Sequence, residues 1–347
     1  MAKSKLHTFK TSFTTESGVE IKDPKIAYRS WGTLNAAKDN VVFICHALTG
    51  NTDADVWFGG LIGTDKTITP DKHFIICTNI LGSCYGSTGP TSINKKTGKS
   101  WQADFPDITI RDIVRFNQKL LDELDIKGIK LVVGGSLGGM TALEFAIMDD
   151  RVKAAALFAM GKAHSPWAIG ISQAQRMAIY ADKNWNNGFY SKENPPEKGL
   201  AAARAMAMIT YRTPENYDQK FSREIHSEKE IFQVESYLNY QGQKLVGRFD
   251  ANSYITLTKA MDTHDVSRDR GSFENVLAKL DKPVLVVGFE SDKLYPINEQ
   301  QELAELIPNS HFAALGSPYG HDAFLIEFDQ LNTQLHSFFH SLTEVKS

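Results

Sequence analysis

Five short, mainly apolar runs recur along the chain, at 41–45, 74–77, 129–133, 154–158 and 283–287, with stretches of helical spacing between them. A strand apolar on both faces cannot sit at a solvent surface. Alternation of such strands with helices therefore predicts an α/β fold whose mostly parallel central sheet is flanked by helices on both sides. Ahead of these runs, residues 9–13 and 19–28 alternate around the turn residues Glu16, Ser17 and Gly18, which predicts a strand pair opening the fold.

The clearest helix begins at Thr109, whose hydroxyl is placed to cap it while Asp112 occupies the third helical position. Its apolar stripe runs through Ile113, Val114, Leu120, Leu121 and Leu124. Between about 165 and 271 the strand rhythm stops, and Ala-, Met- and Arg-rich segments such as 199–211 read as helices. Strand and helix return at Lys282, and Phe324, Leu331, Leu335 and Phe338 mark an amphipathic helix at the end. The expected organisation is a core of residues 1–164 and 272–347 interrupted by a helical lid, 165–271, without internal repeats or low-complexity tracts.

Composition narrows the function classes. With 347 residues, 42% of them hydrophobic, the chain can bury a large core. A net charge of −3 without Lys/Arg blocks argues against nucleic-acid and anionic-membrane partners. No run of 18 apolar residues occurs and the first fifteen residues lack an apolar stretch, so a cytoplasmic, soluble protein is expected. Three cysteines, Cys45, Cys77 and Cys84, have neither C-x-x-C spacing nor His neighbours at metal spacing, and are read as buried thiols rather than disulfide or zinc ligands.

The chemistry centres on Gly134-Gly135-Ser136-Leu137-Gly138, a G-x-S-x-G run directly after one predicted strand and directly before the helical pattern of Met140, Leu143, Phe145 and Ala146. The pattern resembles the nucleophile elbow of the α/β-hydrolase fold, in which a sharp strand-to-helix turn exposes the serine and the glycines admit close chain approach. No Lys-Ser/Thr pair follows the glycines, which excludes a phosphate loop. In this fold the triad continues in the order Ser, acid, His. Asp292, just past the strand 283–287, is the preferred acid with Glu290 in reserve, and His321, in the loop after the strand-like run 311–315, is the base. The Leu137 amide at the helix N-terminus and the Leu48 amide of the loop His46-Ala47-Leu48-Thr49-Gly50 are the expected oxyanion donors. His46 itself reads as structural, and Ala47 stands where many hydrolases carry glycine.

Beyond these residues the chain closely resembles the homoserine O-acetyltransferases. The match rests on residues 46–50, the stretch Asn79 to Pro90, Phe105-Pro106, the helix start Thr109-Ile110-Arg111-Asp112, Ala203-Arg204, Thr210-Tyr211-Arg212, the segments 234–238 and 248–254, Ser291 to Pro296, and Gly320 to Leu325. The resemblance implies that Ser136 takes acetyl from acetyl-CoA and passes it to the hydroxyl of L-homoserine. It further implies that Arg204 holds the acceptor's carboxylate, Asp322 its amino group, and Tyr211 supports the pocket. A zwitterion needs one fixed cation and one fixed anion, in keeping with that pair; Arg176 and Arg212 are reserves. The resemblance also implies a homodimer joined through lid helices and no metal or bound cofactor, acetyl-CoA being a co-substrate. Leu137 departs from the methionine that many relatives carry there. Succinyl transfer, L-serine as acceptor, and hydrolysis by a serine esterase remain open, because all would use the same triad.

Overall fold

Alternation along each central strand creates two cores from one sheet. In the computed structural model, which describes residues 4–344 and leaves the outermost residues of both expected core segments outside the description, ten strands form. They are β1 (Lys5–Thr8), β2 (Phe13–Thr14), β3 (Glu20–Ile21), β4 (Lys25–Trp31), β5 (Val41–Cys45), β6 (Phe74–Thr78), β7 (Ile129–Gly135), β8 (Ala155–Phe158), β9 (Val284–Phe289) and β10 (Ser310–Leu315). Val41, Phe43, Val132, Ala155, Val284 and Val286 join one buried cluster, while their neighbours Val42, Ile44, Val133, Ala156, Leu285 and Val287 join the other. Successive side chains of a strand point to opposite faces, so a run apolar at every position needs cover on both.

The helices supply that cover. Ile110–Glu123 and Leu137–Met148 pack on the first face, with Phe43 and Phe145 5.1 Å apart between ring centroids. Phe328–Glu344 covers the second through Leu331, Leu335 and Phe338. The eight-stranded sheet has the order β1-β4-β6-β5-β7-β8-β9-β10. β1 and β4 pair antiparallel at one edge, and β6 through β10 are parallel throughout. All six parallel strands therefore deliver their following loops to one side of the molecule, where ligands of open α/β sheets bind.

After β8 the chain leaves the sheet, and it returns only at β9. Within the stretch expected as an insertion lie the helices Pro166–Tyr180, Glu197–Thr210, Pro214–Phe221, Gln233–Val246 and Ala251–Asp262. Glu197–Thr210 packs between the first and the fourth of these, its Gly199 close against Ile179 and its Ala201 close against Gly242. No helix among the described residues is long and apolar enough to cross a membrane.

Three sequence expectations need correction. The opening strand pair is split: Gly18, at φ 83°, closes a two-residue hairpin β2/β3, whereas Asp23, at φ 45°, and Pro24 interrupt the run 19–28, so the long pairing is β1 with β4. Phe324 precedes the final helix and lies in the 3-10 turn Gly320–Leu325, although it still packs in the second core. Cys45 and Cys77 are buried, but Cys84 is only half-buried.

The cap at Thr109 forms as expected. Its hydroxyl accepts from the Asp112 N–H and the Asp112 carboxylate accepts from the Thr109 N–H, each at 3.1 Å. Thr109→Ala is expected to lower stability by ~1 kcal/mol, read as an earlier urea midpoint with an unchanged denaturant slope.

Candidate functional site

The turn from β7 into the helix Leu137–Met148 is made by Ser136 alone, at φ 57° and ψ −127°. A side-chain-bearing residue held there costs on the order of 1–3 kcal/mol, which the surroundings must offset. The Ser136 N–H donates to the Phe158 carbonyl at 2.9 Å, and its own carbonyl accepts from the Met140 N–H at 3.0 Å. The flanking glycines are required by space: a Cβ at Gly138 would lie 2.1 Å from the Cys45 carbonyl oxygen, and one at Gly134 2.4 Å from the Gly138 backbone. The elbow thus seats directly on the end of β5.

That contact brings the loop after β5 alongside the serine. Gly50 N–H donates to Ala47 O at 2.8 Å, closing a tight turn in spite of the alanine. His46 is fully buried, and burial pulls its pKa down to about 4, so the ring is neutral. Ile80 N–H approaches Nε2 at 3.3 Å, which leaves the proton on Nδ1 for donation to Ala47 O at 2.8 Å. His46 is a brace for the turn, as expected of a structural histidine. Arg248 of the insertion donates to Thr49 O at 2.8 Å from above. Among the described residues, neither the Leu48 nor the Leu137 N–H donates to another protein group.

Asp292 follows β9 and His321 follows β10, two adjacent parallel strands. His321 Nδ1 lies 2.8 Å from Asp292 Oδ2, and Asp292 Oδ1 accepts from the Leu294 and Tyr295 N–H groups at 2.8 and 2.9 Å. Both side chains are almost fully buried. A carboxylate accepting from Nδ1–H leaves Nε2 with its lone pair free for a hydroxyl. Glu290, the reserve acid, is exposed and outside this arrangement. Three rings surround the imidazole, Tyr295 at 5.2 Å and Tyr211 and Phe324 each at 5.4 Å between centroids. Phe324 also lies against the elbow, where a Cβ at Gly135 would come within 2.4 Å of its ring. The Ser136 hydroxyl and His321 share this corner but are not hydrogen-bonded to one another in this structure.

The residues implied for an amino-acid acceptor gather on the same side. Arg204 sits with its guanidinium carbon 5.7 Å from the Tyr211 ring centroid and has no carboxylate partner among the described residues. Asp322 N–H donates to Tyr211 O at 3.1 Å, tying the His321 turn to the end of the helix Glu197–Thr210. Burial raises the Asp322 pKa, while Arg212, His321 and Arg204 oppose that rise. The two reserve arginines are already engaged. Arg212 Nε lies 2.9 Å from Asp322 Oδ2, and Arg176 Nη2 lies 2.7 Å from Asp262 Oδ2. Sequence reading passed over His164 and gave Tyr295 no role, because their importance comes from contacts between distant segments.

The strand order, the elbow and the buried carboxylate–imidazole pair define an α/β hydrolase, and a family model of the alpha/beta hydrolase fold matches residues 40–328. The chain is 54% identical to the homoserine O-acetyltransferase of Chlorobium chlorochromatii (strain CaD3) over 340 residues, covering 97% of this chain and 95% of that protein. It matches the crystal structure of homoserine O-acetyltransferase from Bacillus anthracis with a TM-score of 0.91 at 27% identity, over 97% and 98% of the two chains. It matches esterase E22 with a TM-score of 0.89 at 26% identity, over 97% and 100%. The chain belongs to the homoserine O-acetyltransferase family.

Buried imidazoles set an acid limit on stability. Burial first of all lowers the pKa of His46 to about 4, of His73 to about 4 and of His164 to about 3. Each folded-state value lies below the unfolded one, so the stability of the neutral ring is fully present above ~6.5 and is lost as pH falls toward 4. The urea midpoint is expected to drop as pH falls through that window. His73→Gln, which removes an imidazole packed against Phe339 and remote from the elbow, should make the decline shallower; an equal slope would refute this account.

Proposed function

We propose that Ser136 carries an acetyl group from acetyl-CoA to the side-chain hydroxyl of L-homoserine in two half-reactions, with His321 as the base and acid of both and Asp292 orienting it. The observation that carries this reading is the 2.8 Å bond between Asp292 and His321 at the carboxyl ends of strands beside the elbow. His321 Nε2 takes the Ser136 proton as Oγ attacks the thioester carbonyl. The resulting oxyanion is received by the Leu48 and Leu137 amides, whose donation in a water-poor site stabilises it far more than bulk water would. The C–S bond breaks and CoA leaves as the thiol with the proton from the imidazolium. In the second half, His321 takes the homoserine hydroxyl proton, the alkoxide oxygen attacks the acetyl-serine, and Ser136 recovers its proton.

Residues 165–271 serve as the lid over this site in the same reading, with the core formed by 1–164 and 272–347. Arg204, lacking a carboxylate of its own, receives the acceptor's carboxylate, and Asp322 its ammonium, with Tyr211 supporting both. Met206, Ile209 and Tyr240, exposed by 38%, 54% and 60% on neighbouring lid helices, supply an apolar face through which two copies would pair as a homodimer. The reaction needs no metal or prosthetic group, and we place it in the cytoplasm. A second reading, hydrolysis of the acetyl-enzyme by water, is favoured by the close likeness to esterase E22. The two differ in whether the lid excludes water while the acceptor is bound.

Intact mass measured after brief exposure to acetyl-CoA is expected to show one acetyl group, localised to Ser136 by peptide mapping and removed faster by L-homoserine than by L-serine or water. Ser136→Ala should show no adduct, and an adduct on that variant would refute the assignment. Succinyl-CoA, offered in competition, tests the donor.

Two further variants separate the roles. Asp292→Asn is expected to slow acetylation by about 10⁴-fold, since the imidazole loses its orienting acceptor. Arg204→Met should leave acetylation unchanged while raising the KM for L-homoserine about tenfold to a hundredfold, the loss of one charge-assisted pair. An unaltered KM would remove Arg204 from the site.

A further inference from the structure

The aromatic wall around His321 is not equally anchored on all sides. Tyr295 is fully buried and holds the acid through its N–H, which donates to Asp292 Oδ1 at 2.9 Å, while its ring lies against His321. Its hydroxyl meets His164 Nδ1 at 3.1 Å. His164 Nε2 in turn faces Asp262 Oδ1 at 3.7 Å, and Arg176 holds the other oxygen of that carboxylate at 2.7 Å. Burial keeps His164 neutral. The tautomer that sets an N–H rather than a lone pair against the carboxylate makes Nδ1 the acceptor for Tyr295 O–H.

The chain of contacts has a direction in the fold. Arg176 belongs to the first lid helix, Asp262 ends the last, and His164 is the residue at which the chain leaves the core. At the same place the two crossings are fastened together by His164 N–H to His264 O at 2.8 Å and by His264 Nε2 with Gly161 O at 2.9 Å. Resting on the acyl-transfer reading above, we propose that Tyr295, tied by its hydroxyl to His164, is a positioning residue that sets the catalytic imidazole from the root of the lid. The ring wall of His321 is thereby fixed relative to the helices that carry Arg204, so base and acceptor site share one anchor. A phenylalanine would fill the same space against His321 but would leave the ring without its tether and His164 Nδ1 without its donor.

The test uses the purified full chain turning over acetyl-CoA and L-homoserine. Tyr295→Phe and His164→Leu are each expected to lower kcat on the order of tenfold, in line with the sensitivity of catalysis to small misplacements, with the KM for acetyl-CoA changed by less than about twofold. His164→Asn, whose Oδ1 can accept where Nδ1 did, should retain most of the activity. Combining Tyr295→Phe with His164→Leu should cost no more than either alone, because both remove one bond. Wild-type kcat in Tyr295→Phe, losses that multiply in the double variant, or a loss confined to KM would each overturn the proposal. If His164→Leu does not fold, Tyr295→Phe and His164→Asn decide alone. A wild-type chain that is never acetylated on Ser136 sinks the acyl-transfer reading and this one together; one that is acetylated yet indifferent to Tyr295→Phe sinks only this one.

Discussion

The contact on which the site depends is that of the elbow with the end of β5, where Gly138 stands against the Cys45 carbonyl with no room for a Cβ. Everything at the site follows from that seat. It forces Ser136 into a backbone conformation that a side-chain-bearing residue rarely adopts, and so lifts the side chain clear of both the strand and the helix. It also sets the first free amide of the helix beside the turn that follows β5. Within the proposed reading, Leu48 and Leu137, whose N–H groups have no protein acceptor among the described residues, are the amides that receive the oxyanion. The strain is tolerable because the surrounding sheet is apolar on both faces and covered on both, leaving the strands little freedom to relax.

Opposite the elbow, the acid and base come from neighbouring parallel strands, and their pairing is maintained from two directions. Backbone amides of Leu294 and Tyr295 hold Asp292, while the Tyr211 carbonyl and the Arg212 side chain hold Asp322, the residue next to His321. The first set follows β9 and the second follows the helix Glu197–Thr210. The imidazole consequently sits where the loops of the sheet meet the helices between β8 and β9, from which, within the proposed reading, it serves a donor and then an acceptor.

The five apolar runs read correctly because nothing but a doubly covered strand explains them, and the elbow because strand, glycines and helix pattern coincide within ten residues. Asp292 is preferred over Glu290 from its place past the strand 283–287. What distinguishes them is the turn through Lys293, which aims two amides at Asp292 and leaves Glu290 in solvent. The opening hairpin was misjudged because Pro24 and the positive φ of Asp23 act more strongly than the alternation of neighbouring residues. Arg204 is chosen through the resemblance, with Arg176 and Arg212 in reserve, because charge alone does not rank the three. Their difference lies in Asp262 and Asp322, partners 86 and 110 residues further along than Arg176 and Arg212, which no local pattern reports.

The likeness to both a homoserine O-acetyltransferase and an esterase narrows where the choice between transfer and hydrolysis resides. An elbow, a carboxylate–imidazole pair and two amides are equally suited to water and to an alcohol, since each offers the same lone pair to the same acyl carbon. Selectivity must then come from groups that bind the alcohol's remote end. Within the proposed reading those groups are Arg204, which has no carboxylate partner among the described residues, and Asp322, whose charge is disfavoured by burial. An ammonium arriving beside Asp322 would favour its charged form, and a carboxylate at Arg204 would supply the partner it lacks. Water offers neither. Within the proposed reading, binding energy from the amino-acid end of the acceptor is thus what this scaffold adds to machinery it holds in common with hydrolases.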